Sequence, residues 1–130
     1  GGPRTAKDLQ GKVVGVQVGT TYMEAAQKIP GIKEVRTYQR DPDALQDLLA
    51  GRIDTWITDR FVAKEAIKER KLENTRQVGE LVFQERVAMA VAKGNKSLLD
   101  ALNRALAELM QDGTYARISQ KWFGEDVRCK

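Results

Sequence analysis

Three short apolar runs, each followed within a few residues by a helical stretch, constrain this chain more than any other feature. Val13-Val14-Gly15-Val16-Gln17 has the form of a buried strand. Gly19 breaks the run. Thr21 and Glu24 have capping-box spacing, which predicts a helix over residues 22–29, stopped by Pro30-Gly31. Residues 33–38, with Val35, Thr37 and Tyr38, predict a second strand. Asp41-Pro42 then predicts a helix with an acidic N-cap and proline at its first position. Leu45, Leu48 and Leu49 form its apolar stripe, and Gly51 is placed to end it. Residues 53–58 predict a third strand. Asp59 caps a helix in which Phe61, Val62, Ala66 and Ile67 share a face. This β-α-β-α-β-α order predicts an α/β fold, a three-layer sandwich with a mainly parallel sheet.

The rest of the chain has a different rhythm. Residues 78–83 and 86–93 are two extended apolar segments, interrupted by Gly94-Asn95. Residues 97–111 predict an amphipathic helix with Leu98, Leu99, Leu102, Leu106, Leu109 and Met110 turned inward. Asp112-Gly113-Thr114 is a stop followed by a fresh cap, and a last helix over residues 115–122 ends at Gly124.

Several function classes are excluded by composition. A length of 130 residues suits one compact domain, and 42% hydrophobic with 31% charged residues argues against disorder. Basic residues outnumber acidic ones 22 to 18, but the signs are interspersed, and even the stretch from Lys64 to Lys71 contains Glu65 and Glu69. No clustered basic face points to a nucleic acid. The absence of histidine removes the usual general base near neutral pH and the commonest metal ligand. Cys129 alone supports neither an internal disulfide nor a cysteine metal site. No metal or cofactor is expected. No apolar run approaches the ~18 residues of a membrane-spanning helix.

In an open α/β sheet, ligands gather beyond the carboxyl ends of the strands. Two strand-to-helix junctions here carry suitable chemistry. At Gln17-Val18-Gly19-Thr20-Thr21, glycine lets a ligand approach the backbone, and two hydroxyls sit at a helix N-terminus, where N–H groups and the dipole favour an anion. The plainer explanation is that Thr21 caps and Gly19 turns. At Thr58-Asp59-Arg60, an acid ends a strand and could receive an ammonium group, unless Asp59 is only an N-cap. If the first and third strands are neighbours, the pair matches a free amino acid, with its carboxylate at Thr20 and Thr21 and its ammonium at Asp59.

Five segments in order resemble the polar amino-acid-binding proteins of bacterial ABC importers, the type II periplasmic solute-binding proteins. The segment from Asp8 to Thr21 looks like the start of that family's second lobe. Leu49-Ala50-Gly51-Arg52-Ile53-Asp54 with Thr58-Asp59 looks like its Gly-Arg-hydrophobic-Asp segment and ligand-binding acid. Ala90-Val91-Ala92-Lys93-Gly94-Asn95 looks like the return strand to the first lobe. Asn103-Arg104-Ala105-Leu106, and Asp112-Gly113-Thr114-Tyr115 with Lys121-Trp122-Phe123-Gly124, look like its C-terminal signature. The resemblance implies that Thr20, Thr21 and nearby N–H groups hold a ligand carboxylate, that Asp59 holds its α-ammonium, and that Gln17 touches the ligand. Trp56 stands where the family has a smaller aliphatic residue and is read as core packing.

The same resemblance implies residues 1–86 as the ligand-binding second lobe, and residues 87–130 as a return strand and helices that belong to the first. Family members are about twice as long, so the chain is expected to be a fragment, a split half or an engineered piece. Its ligand would be a polar amino acid and its membrane partner an ABC permease. Its location would be periplasmic or extracellular, membrane-associated through the transporter. It should pair with the complementary N-terminal lobe, dimerise through its C-terminal helices, or fold those helices back. The same scaffold hosts a cyclohexadienyl dehydratase, but no carboxyl group here is clearly placed as its general acid, so the chain is expected not to be an enzyme. A half-protein that assembles without ligand activity is a third reading.

Overall fold

The computed structural model describes residues 2–79 and 84–128, arranged as two units, Gly1–Gln84 and Glu85–Lys130. In the first unit β1 (Val13–Gln17), α1 (Thr21–Lys28), β2 (Glu34–Tyr38), α2 (Asp41–Leu49), β3 (Thr55–Trp56) and α3 (Arg60–Glu69) follow one another as the apolar runs predict. The sheet order is β2-β1-β3, and both pairings are parallel, with Val14 opposite Val35 and Thr55.

β1 is central, so its side chains are buried on both faces. Val14 and Val16 are fully buried with Leu9 and with Ala26 of α1, and Ile57 packs at the edge of this cluster. Gly15 faces α2. A Cβ there would lie 2.5 Å from Ile53 Cδ1, 3.1 Å from Tyr38 Cε2 and 3.7 Å from Ala44 Cβ, so the glycine is required by close packing. Helices on both faces make the predicted α/β layers.

The differences lie at element ends. β3 has two residues, not six, because Gly51, with φ +70°, ends the turn after α2 and leaves Arg52–Asp54 as a bend. Asp41 is the first residue of α2 rather than its N-cap; Arg40 takes that position, with no side-chain capping bond. α3 contains no buried residue.

In the second unit α4 (Lys96–Gln111) and α5 (Thr114–Phe123) pack on each other. Asn95 caps α4 by accepting from the Leu98 N–H at 3.3 Å. The fresh cap expected in Asp112-Gly113-Thr114 is corrected: Thr114 is the first residue of α5, Gly113 takes the N-cap position at φ +78° without a side chain, and the Asp112 carboxylate accepts from the Thr114 N–H at 2.8 Å. The inward placement of the α4 leucines is corrected: α4 has no buried residue, and Leu98, Leu99 and Leu109 are exposed. One neighbouring helix cannot cover so wide a stripe. Residues 84–93 form no strand, since an extended segment becomes one only beside a pairing partner. Of the earlier apolar segment, Val78 and Gly79 are not in a strand, and residues 80–83 lie outside the described residues.

Candidate functional site

Gln17 is the last residue of β1. The Val18 N–H continues the pairing by donating to the Tyr38 carbonyl at 2.8 Å. Gly19 then adopts φ +72° with open space where a Cβ would stand, so its backbone conformation, not crowding, calls for glycine. Thr20 is the N-cap of α1, and its hydroxyl donates to the Gln17 carbonyl at 2.8 Å and accepts from the Met23 N–H at 3.3 Å. This corrects the capping box expected at Thr21 and Glu24. Thr21 is the first helical residue and is exposed. The Gln17 side chain reaches over the end of β2 and donates to the Gln39 carbonyl at 3.2 Å.

Asp59 follows β3, past Ile57, whose N–H donates to the Gly15 carbonyl at 3.0 Å. It is half-buried and caps α3: its Oδ1 accepts from Phe61 N–H at 2.8 Å and Val62 N–H at 3.1 Å. Both bonds fall on one oxygen. The Arg60 guanidinium lies 4.4 Å from the centroid of the Phe61 ring.

β1 pairs with β3, so the strand leading to Thr20 and Thr21 and the strand leading to Asp59 run side by side in the same direction. Among the described residues, no hydrogen bond joins Asp59 to Gln17 or Thr20. They share one end of the sheet without being tied to each other.

A third junction, between β2 and α2, reads from sequence only as a helix start, and the fold gives it a second task. Asp41 Oδ1 accepts the Trp56 indole N–H at 2.9 Å, and its Oδ2 accepts the Thr58 hydroxyl at 3.1 Å. Trp56 and Thr58 alternate with Ile57 and so leave β3 on the face of Gly15. The available signal was Trp56 itself: a half-buried indole N–H needs an acceptor. Trp56 is therefore half-buried and hydrogen-bonded rather than part of the fully buried core. Among the described residues, no cluster of three metal-ligating side chains occurs, and no helix is long and apolar enough to cross a membrane.

Residues 2–125 match the family described as bacterial extracellular solute-binding proteins, family 3. The L-cystine-binding protein TcyJ of Escherichia coli strain K12 is 46% identical over 126 residues, covering 95% of this chain and 46% of TcyJ. The ABC transporter arginine-binding protein 1 of the same strain is 36% identical over 124 residues, covering 92% of this chain and 51% of that protein. The structure of an ancestral arginine-binding protein bound to glutamine matches with a TM-score of 0.85 at 38% identity, over 96% of this chain and 56% of that one. The chain thus spans about half the length of the curated relatives it matches. With a match that runs through both units, the chain belongs to family 3 of the bacterial extracellular solute-binding proteins.

Proposed function

We propose that this chain carries the second-lobe half of a receptor that binds a polar amino acid for an ABC importer, in the periplasm or at the cell exterior. The ligand carboxylate sits at the start of α1, by Thr20 and Thr21. Its α-ammonium sits at Asp59, and Gln17 lines the same end of the sheet. One observation carries the reading: β1 and β3 are direct neighbours, so an anion-favouring helix start and an acidic side chain leave adjacent parallel strands. Relatives named for cystine and arginine supply the ligand class. They are binding proteins, and catalysis gains no support from them.

The half alone makes only part of a ligand's contacts and binds weakly. The exposed Leu98, Leu99, Leu109, Ile118 and Trp122 offer an apolar surface to the complementary lobe or to a second copy. The test is an amide-shift titration of the chain with arginine, glutamine and cystine. Shifts centred on Gly19–Thr21 and Asp59 at millimolar ligand are expected. Submillimolar affinity without a partner would show that the second lobe suffices, and no shift at either junction would overturn the reading.

A further inference from the structure

We infer that Asp41 is a positioning residue for Asp59, reaching across the end of the sheet to fix the residue that precedes it. This rests on the reading of Asp59 as the ammonium partner. Asp41 opens α2, three residues after the end of β2, yet both its carboxylate oxygens are engaged by the β3 segment 15 and 17 residues further along. β3 pairs with β1 through only two residues, Thr55 and Trp56. Beyond them the ladder adds the single bond from Ile57 to Gly15. A segment so briefly paired needs another anchor if Asp59 is to hold one geometry. The Asp41 bonds to the Trp56 indole and the Thr58 hydroxyl supply it from the α2 face. The Phe61 and Val62 amides hold the Asp59 carboxylate from the other direction. Asp59 is therefore held between a side-chain clamp behind it and a helix start ahead of it.

Substitution separates geometry from charge. Asn at position 41 keeps an acceptor for the indole N–H, and its amide can donate to a Thr58 hydroxyl turned the other way. Asp41→Asn therefore preserves the clamp and removes the charge, whereas Asp41→Ala removes both. Thr58→Val drops only the hydroxyl and keeps the β-branched shape.

The deciding measurement is amide hydrogen exchange on the whole chain. Asp41→Ala and Thr58→Val should each speed exchange at Phe61 and Val62 about tenfold, while Asp41→Asn stays near wild type and the α1 amides do not change. Unchanged exchange at Phe61 and Val62 in Asp41→Ala would overturn the inference, whether or not the chain binds ligand. A ligand titration adds the functional arm. Asp41→Ala should weaken arginine about tenfold and leave des-amino arginine unaffected, because only the α-ammonium meets Asp59. Equal weakening of both ligands would overturn the inference. Failure of wild type to respond to arginine would instead remove the binding reading, with the exchange result still deciding the role of Asp41.

Discussion

Asp54 and Val13 exchange two hydrogen bonds, one of them through a side chain. The Asp54 N–H donates to the Val13 carbonyl at 2.9 Å, and the Val13 N–H donates to Asp54 Oδ2 at 2.8 Å. The central strand thus begins with its first amide satisfied by a carboxylate from the far end of the α2 turn, with Lys12 Nζ 3.7 Å from the other oxygen. Asp54→Ala should destabilise the chain by about 1 kcal/mol, the net worth of one partly exposed hydrogen bond. Asp54→Asn keeps an acceptor and should cost less. Urea midpoints of the two variants check this.

The Gly15–Ile53 contact is a stricter constraint. Gly15→Ala places a methyl group 2.5 Å from Ile53 Cδ1, and Ile53 is itself buried. Overpacking of this kind costs about 1–3 kcal/mol. Ile53→Val removes the offending atom. The double variant should therefore be more stable than the sum of the two single losses, and a thermodynamic cycle measures the difference.

These two contacts explain what was legible. In Gly51-Arg52-Ile53-Asp54 every residue has a separate physical task. Gly51 turns the chain at φ +70°, Arg52 pairs with Asp47, Ile53 fills the space above Gly15, and Asp54 holds β1. Apolar periodicity located β1, β2 and the helices α1 to α5 because burial on the sheet faces and helix stripes follows local spacing. It overextended β3 because strand length depends on a partner's register. It mistook Thr21 for the cap because Thr20 is chemically equivalent and one residue away. The Asp41 clamp was hidden for a related reason: an Asp-Pro pair explains itself as a helix start, and only the fold brings Trp56 and Thr58 to it.

Asp47 makes stability depend on acid pH. It accepts from Arg52 Nε at 2.7 Å and from the Tyr38 hydroxyl at 2.7 Å. First the arginine and then the tyrosine hold its carboxyl below the ordinary value of 3.8. A depressed folded value stabilises the native state above the unfolded value, and the contribution is lost as pH falls through the folded value. Asp47→Asn should therefore lower the denaturation midpoint at pH 7, and the gap from wild type should narrow when both are measured at pH 3.

The apolar face of the last two helices should drive association. Trp122 is 65% exposed, with Lys121 Nζ 5.6 Å from its ring centroid, and Leu98, Leu99 and Ile118 are also exposed. Sedimentation velocity should show a mass that rises with concentration. Trp122→Glu with Leu98→Glu should hold the chain as a monomer. A wild-type chain that stays monomeric at all concentrations would leave the face to a different partner.

Asp59 has two jobs that one substitution can separate. As the N-cap of α3 it accepts two backbone N–H groups through Oδ1, a role that asparagine fills as well as aspartate. As the proposed ammonium partner it must carry a charge. Asp59→Asn should leave the thermal midpoint near wild type but weaken arginine at least tenfold, as loss of a charge-assisted bond requires. Asp59→Ala should lose the affinity and also about 1 kcal/mol of stability. Amide shifts at Gly19–Thr21 report ligand occupancy in all three proteins, and thermal melts report the cap. If Asp59→Asn binds arginine as wild type does, the carboxylate serves α3 alone, and the ammonium group must be held elsewhere at this end of the sheet.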